Sequence, residues 1–382
     1  MGEKTAMKPI AFEPHKEKLE EFMKRIDVRE VLDYYEAMLK ELFLIRNPQY
    51  RFNPNYETEL AAFIKEHAGG KPLGEAGNWF YFPWSKLLVH YLPDAMHQEL
   101  RTARNKNLIT ADEQAKFYNF SVGVAGLSVG SHAALTLAMM GGGRVVKLAD
   151  PDEISGSNLN RIRFGFTRVG ENKCDVVTQE ITQMNPYSEI HSYPQGVTPD
   201  GLPEFFAGPP KLGVMIELVD NLEMKIRIRE EAKKQRIPVI MATDNGDNVI
   251  VDVERYDLDP QPKIFNGAAG DLTLEEFQKF PPQDLPRLAS KIAGPGMVVP
   301  RMLGSVLEVG KTLYSWPQLG DAATLSGVAI AYLVRRLALG QKVASGRLEV
   351  NLDSIFDPDY SSPEAAGERD KQRKDFLAKI GL

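Results

Sequence analysis

Cysteine is almost missing from this chain of 382 residues: Cys174 stands alone, so neither an internal disulfide nor a Cys-based zinc cluster can form. No structural zinc is expected, and a single thiol suits a reducing cytoplasm. Long apolar runs are missing too. No stretch approaches the ~18 uninterrupted apolar residues of a membrane span, and Met1–His15 lacks the apolar heart of a secretory leader, so no membrane insertion or export is expected. Positive charge is not in excess. The 46 Lys and Arg residues face 52 Asp and Glu, and the net charge of −6 argues against a nucleic-acid surface over the whole molecule. Histidine is scarce: His15, His67, His90, His97, His132 and His191 are all there are.

What is present is ordinary globular composition, 43% hydrophobic and 26% charged, in a chain long enough for two or three domains. From about Lys18 to Glu66 apolar residues such as Val31, Leu32, Tyr35, Met38, Leu39 and Leu42 recur at helical spacing, with a Pro-containing break over Asn47–Pro54. Residues 1–100 therefore read as a mainly helical N-terminal domain of unassigned role. The aromatic run Trp79, Phe80, Tyr81, Phe82 and Trp84 reads as core before it reads as a binding surface.

Near Phe120 the character changes. Short apolar runs (Phe120–Leu127, Val145–Asp150, Val214–Asp220, Val239–Thr243) alternate with helical patterns (Ser131–Met140, Lys173–Met184, Leu222–Lys234), which predicts a parallel sheet. The expected fold class is α/β: a Rossmann-like, mostly parallel sheet with helices on both faces, after the helical front end. Residues 101–355 make this domain. Within it, 258–320 is Pro-rich and irregular, an expected crossover covering a site; Ala322–Leu339 is a helix stopped at Gly340, and Arg347–Leu352 a strand. Residues 356–382 form a charged tail, with Glu364–Lys379 as a solvated helix.

The chemistry centres on Gly126-Leu127-Ser128-Val129-Gly130-Ser131, set between an apolar strand and a helix, where small residues allow a tight turn and backbone N–H groups can face an anion. Alone, it supports several readings. It is a shortened relative of the dinucleotide loop, it matches the G-x-S-x-G nucleophile elbow of α/β-hydrolases with Ser128 as nucleophile, and it is also what a ligand-free tight turn looks like. A hydrolase of that fold needs a late histidine, and only His132, on the adjacent helix, and His191, in an early strand, follow Ser128.

Further motifs follow in order: Asp150-Pro151-Asp152 at a strand end, Ser157-Asn158-Leu159-Asn160-Arg161, Gly170-Glu171-Asn172-Lys173 opening a helix, and Asp220-Asn221 after a strand. An acid ending the second strand suits a ribose, as an NAD enzyme would also require. The whole series resembles the ThiF/MoeB/HesA family, related to ubiquitin-activating enzymes, over Arg104–Tyr256 and again over Trp316–Gly340.

The resemblance implies an ATP-dependent adenylyltransferase that activates a carboxylate as acyl-AMP. In that frame Gly126, Ser128 and Gly130 form the nucleotide loop and Asp150 binds ribose. Asn158, Arg161 and Lys173 hold the ATP phosphates, Arg as a planar fork and Lys as a compact charge. Asp220 binds Mg2+, with Asp152 assisting through water or else capping Ile154 and its neighbours. Arg104 matches an arginine that reaches the nucleotide of the opposite subunit, so a homodimer is expected. The implied substrate is a carboxylate, a peptide or small-protein C-terminus among the candidates, with no nucleic acid and no membrane partner. Three departures stand out: Ser128 where glycine is common, Lys225 where arginine is common, and no thiol downstream of Asp220-Asn221. The adenylate would then pass to its acceptor directly. A nucleotide-binding scaffold without catalysis and an NAD(P)-dependent oxidoreductase stay open as alternatives.

Overall fold

The computed structural model describes residues 8–281 and 284–381. The expectation about Met1–Met7, the two residues 282–283 of the crossover and Leu382 of the tail lie outside the described residues. The chain divides into two compact units.

The first unit holds the described residues up to Tyr118 together with Ala138–Gly141 and Thr178–Ser188. Its helices include Leu19–Arg25, Tyr35–Arg46 and Glu57–Ala68; the second carries Tyr35, Met38, Leu39 and Leu42 of the helical spacing, whereas Val31 and Leu32, read with them, fall on a strand, and the third helix ends on Gly69 in the left-handed conformation. They share the unit with a four-stranded sheet that the sequence reading did not anticipate: β1 (Ile10–Ala11), β2 (Glu30–Leu32), β3 (Asn78–Phe82) and β4 (Leu87–Tyr91), in the order β1-β3-β4-β2. Trp79 to Phe82 of the aromatic run are buried on strand β3, and Trp84 follows the strand, half-buried. His90 on β4 lies between the rings of Tyr35 and Trp79, with centroids 4.0 and 4.1 Å away, and its nitrogens meet Asp33 Oδ1 at 3.0 Å and the Ala76 carbonyl at 2.6 Å. With both nitrogens partnered and both faces covered, this histidine belongs to the core.

The second unit is built on a seven-stranded sheet: β5 (Val122–Ala125), β6 (Val145–Ala149), β7 (Glu189–Tyr193), β8 (Val214–Glu217), β9 (Val239–Asn245), β10 (Asn248–Glu254) and β11 (Gly346–Val350), in the order β11-β10-β9-β8-β5-β6-β7. Strands β7, β6, β5, β8 and β9 run parallel, and β10 and β11 are antiparallel additions. Strands β5 and β8 are buried at every position, as parallel strands covered on both faces must be.

Right-handed connections put the β5–β6 helix, Ser128–Met139, and the β8–β9 helix, Leu222–Gln235, on opposite faces, because the two crossovers move in opposite directions along the sheet. Leu202, Phe205 and Phe206 of helix Leu202–Ala207 join Ile228 and Ala232 in a cluster over Ala125, Ala149 and Met215. The long helix Gly320–Ala338 buries Ile330, Ala331 and Val334, and Gly340 follows it at φ +65°. The fold is thus the expected α/β class with a mostly parallel sheet.

Two expectations need revision. The stretch 258–320 is not irregular throughout: Leu274–Gln278, Leu285–Ala293 and Pro300–Val306 are short helices. The tail helix Pro363–Lys379 is not wholly solvated, because Phe376 is buried against Ile250, Val298 and Leu303.

Candidate active site

Strand order reverses at β5, whose chain continues to β6 on one side while β8 lies on the other, so the loops leaving β5 and β8 diverge and open a crevice at their carboxyl ends. A cavity of about 630 Å3 lies there, lined by the strand-end residues Ala125, Ala149 and Leu218 and the loops that follow them. All of its lining comes from the second unit.

Gly126 turns the chain out of β5 at φ +89°, and a Cβ there would sit 2.3 Å from the Leu218 carbonyl oxygen, so no side chain fits. Its N–H donates to the Ala149 carbonyl at 2.9 Å, and the Leu127 N–H donates to Asp150 Oδ2 at 2.5 Å. The turn is thus clamped to the end of β6. Ser128 opens the next helix from the cavity wall. Gly130, grouped with the loop in the sequence reading, does not line the cavity; a Cβ there would meet Val124 Cγ1 at 2.9 Å, so this glycine lets the helix lie close on β5.

Asp150 is buried and accepts from two backbone N–H groups, Leu127 at its Oδ2 and Asp152 at its Oδ1, the latter at 2.8 Å. Burial pushes its pKa up, while the Lys173 ammonium 3.7 Å away and the two N–H donors pull it back. Asp150 thereby has a structural task, capping the glycine turn, whatever else it meets in the cavity. Lys173 is nearly buried and donates to Asp152 Oδ2 at 2.8 Å, so it bridges the two acids of the Asp-Pro-Asp motif.

Arg161 donates from Nε to Ser128 Oγ at 3.2 Å and from Nη1 to the Ser157 carbonyl and Asn160 Oδ1, both at 3.0 Å. Burial pushes its pKa down and the Asp244 and Asp220 carboxylates oppose that; a guanidinium stays charged throughout. Asn158 is buried, with its side-chain oxygen accepting from the Ser155 N–H at 3.0 Å. Asp220 follows β8, is exposed, and lines the cavity. Arg104 lies in the first unit, exposed on the turn Ala103–Asn105. Sequence reasoning missed Gln195, Gly196, Val197, Met224, Arg227 and Gln318, which also line the cavity. The first three follow β7 directly, so the rule that ligands sit beyond parallel strand ends was the available signal.

The nucleophile-elbow reading fails on geometry. His132 is neutral, since its Nε2 donates to the Arg161 carbonyl at 2.5 Å and its Nδ1 accepts from Arg163 Nε at 3.0 Å, and burial pushes its pKa down. His191 is held by Glu189. Neither is hydrogen-bonded to Ser128, whose hydroxyl oxygen faces a guanidinium instead of a base.

Residues 102–248 match the ThiF family. The chain carries a ThiF-family domain. An uncharacterized protein, MT1398, of Mycobacterium tuberculosis (strain CDC 1551 / Oshkosh) is 36% identical over 313 residues, covering 81% of this chain and 43% of that protein. A tRNA threonylcarbamoyladenosine dehydratase of Bacillus subtilis (strain 168) is 30% identical over 170 residues, 42% of this chain and 66% of its own length. The Sulfur carrier protein ThiS adenylyltransferase of Escherichia coli (strain K12) is 32% identical over 140 residues, 36% of this chain and 54% of its own. The chain thus spans between about two fifths and two thirds of these relatives. Its ThiF domain supplies every cavity residue except Gln318. No helix among the described residues is long and apolar enough to cross a membrane.

Beneath the ThiF cavity, Glu217 at the end of β8 is fully buried and accepts from Lys225 at 2.9 Å, Arg229 at 2.6 Å and the Val219 N–H at 2.9 Å. Lys225, which stands where the resemblance expects arginine, is therefore directed at Glu217 and does not line the cavity.

Proposed function

We propose that this chain is an ATP-dependent adenylyltransferase. A carboxylate oxygen of the substrate attacks the α-phosphorus of ATP, the bond to the β-phosphate oxygen breaks, and pyrophosphate leaves; the acyl-AMP then yields its acyl group to an acceptor and AMP departs. The observation that carries this reading is the convergence of the Arg161 guanidinium and the first turn of helix Ser128–Met139 on one wall of the switch-point cavity, with no nucleophile–base pair beside them. Such a site binds and neutralises oxyanions. The name of one relative, an adenylyltransferase for a sulfur carrier protein, favours the same chemistry over hydride transfer.

Arg161 positions the phosphates, Lys173 ties Asp150 and Asp152 into the loop beneath them, and Asn158 holds the Ser155 end of the turn that carries Arg161. Four carboxylates (Asp150, Asp152, Asp220, Glu223) and three cations (Arg161, Lys173, Arg227) line the cavity. A triphosphate entering that acid excess has to bring a cation with it. No group of three or more His, Cys, Asp and Glu among the described residues could hold a metal; Asp220 on the cavity wall would hold Mg2+ that arrives with the triphosphate. When bound, Mg2+ supplies charge neutralisation at the phosphates.

Cys174 does not serve as acyl acceptor. It is buried, and its thiol is pushed up to about 12, first by burial and then by the Asp150 charge. We infer transfer directly from the adenylate, a peptide or ubiquitin-like C-terminus as the leading substrate class, a homodimer in which Arg104 reaches the partner's nucleotide, and a cytoplasmic setting where ATP is at hand. Carboxylate-dependent exchange of labelled pyrophosphate into ATP tests the reading, with Arg161→Ala expected to lose it.

A further inference from the structure

The cavity has two chemically different sides. Ser128, Asn158, Arg161 and Gln318 make one of them polar. On the other, Val197, Val219 and Met224 pack on the apolar cluster that contains Ala125, Ala149, Phe205 and Ile228, so the wall there is hydrocarbon. The charged pair Glu223–Arg227 interrupts it. Arg227 lies one helical turn beyond Met224 and Glu223, on the face of helix Leu222–Gln235 that both share, while Lys225 points away to Glu217. Both Glu223 and Arg227 line the cavity. Nε and Nη2 of Arg227 converge on Glu223 Oε1 at 2.8 and 2.6 Å, which fixes the guanidinium plane, and the side chain is only 25% exposed. Nη1 has no hydrogen-bond partner among the described residues.

A guanidinium tethered along one edge, beside an apolar wall, is suited to lie flat on an aromatic ring: its faces are weakly hydrated and its charge is attracted to the π system. Its partner in the pair matters as well. Glu223 offsets the charge, so this side of the cavity offers no net cation to compete with Arg161 for phosphate. We propose that Arg227, held by Glu223, is a specificity-determining residue that stacks on the base of the bound nucleotide and favours a purine, whose larger ring system covers more of the guanidinium and of the Val197–Met224 wall. This rests on the reading of the cavity as an ATP site.

The test compares MgATP with MgUTP on the full chain by competitive binding, which needs no acyl substrate. The wild type is expected to prefer MgATP. Arg227→Gln, close in size and uncharged, is expected to cut that preference roughly three- to tenfold, between what an exposed and a fully desolvated cation–π contact supply. Arg227→Lys, which keeps the charge and loses the plane, is expected to cut it as well. Loss of a surface ion pair alone would weaken both nucleotides in proportion and leave the ratio alone. An unchanged ratio in Arg227→Gln, a ratio restored by lysine, or a wild type that does not discriminate overturns the stacking role while the ATP site stands. A wild type that binds neither nucleotide overturns the ATP site itself.

Discussion

Arg229→Met tests how the cavity wall is held from below. Arg229 is fully buried and bridges two carboxylates from different strands, Glu217 on β8 at 2.6 Å and Glu254 on β10 at 2.7 Å, with its Cζ 4.0 Å from the Phe265 ring centroid. Methionine matches much of the stem and removes the charge, which leaves Glu254 with two neutral donors, the Tyr256 hydroxyl and the Phe265 N–H, and Glu217 with Lys225. Removing one partner of a buried ion pair costs about 3–5 kcal/mol. Hydrogen exchange of the β8–β10 amides, together with thermal melting, reads that loss, and a cost below about 1 kcal/mol would refute the reasoning.

The pH dependence carries its own sign. Burial pushes the Glu217 pKa up, but Lys225 and Arg229 more than offset it, so the folded state holds this carboxyl below the ordinary glutamate range. Its contribution is therefore present above the unfolded value and is lost as pH falls through the folded one. Part of that contribution is missing from Arg229→Met, so the gap between variant and wild type should narrow as pH falls through the carboxylate range. Adding Glu254→Gln, whose amide oxygen still accepts from Tyr256 and Phe265, should recover a large part of the loss at neutral pH.

Other expectations are direct. Gly126→Ala meets the Leu218 carbonyl in a left-handed turn, so it should destabilise the second unit by about 1–3 kcal/mol and weaken ATP binding; a normal melting curve with normal affinity contradicts this. Cys174, with its thiol pushed up to about 12, should resist alkylation by iodoacetamide at mildly alkaline pH until the protein unfolds, and Cys174→Ala should keep pyrophosphate exchange. Lys147 is buried on β6 and donates to the Phe205 and Gly208 carbonyls at 2.9 and 2.8 Å, at the end of helix Leu202–Ala207. Lys147→Met should leave those acceptors unpaired and cost about 1–3 kcal/mol in chemical denaturation, with a neutral result refuting the capping role.

The parallel sheet was legible because each strand is a short apolar run ended by a turn, and β6 falls within one residue of its expected bounds, Val145–Asp150. The strand-end acids and the glycine turn were legible because the switch point places them by topology. The first unit's sheet was not, since β3 is apolar at four consecutive positions and shows no alternation. Helices of five to nine residues within 258–320 are too short to display an amphipathic period. The Glu217–Arg229–Glu254 network escaped because its charges lie 12 and 25 residues apart, with no local spacing that pairs them. Arg227 escaped for a related reason. On sequence it is one more arginine in a charged helix, and only the fold turns it toward the cavity.

The central claim is adenylation, and equilibrium exchange of labelled pyrophosphate into ATP tests it most directly, on the wild type and on Asp220→Ala, against peptide and small carboxylic acids with Mg2+ present. The account predicts exchange that depends on both the carboxylate and Mg2+ in the wild type and falls at least a hundredfold, roughly 2.7 kcal/mol of lost stabilisation, in the variant. Exchange that survives Asp220→Ala undiminished contradicts the role of that carboxylate; a wild type that binds MgATP and exchanges with no carboxylate contradicts the adenylation itself and leaves a nucleotide-binding scaffold.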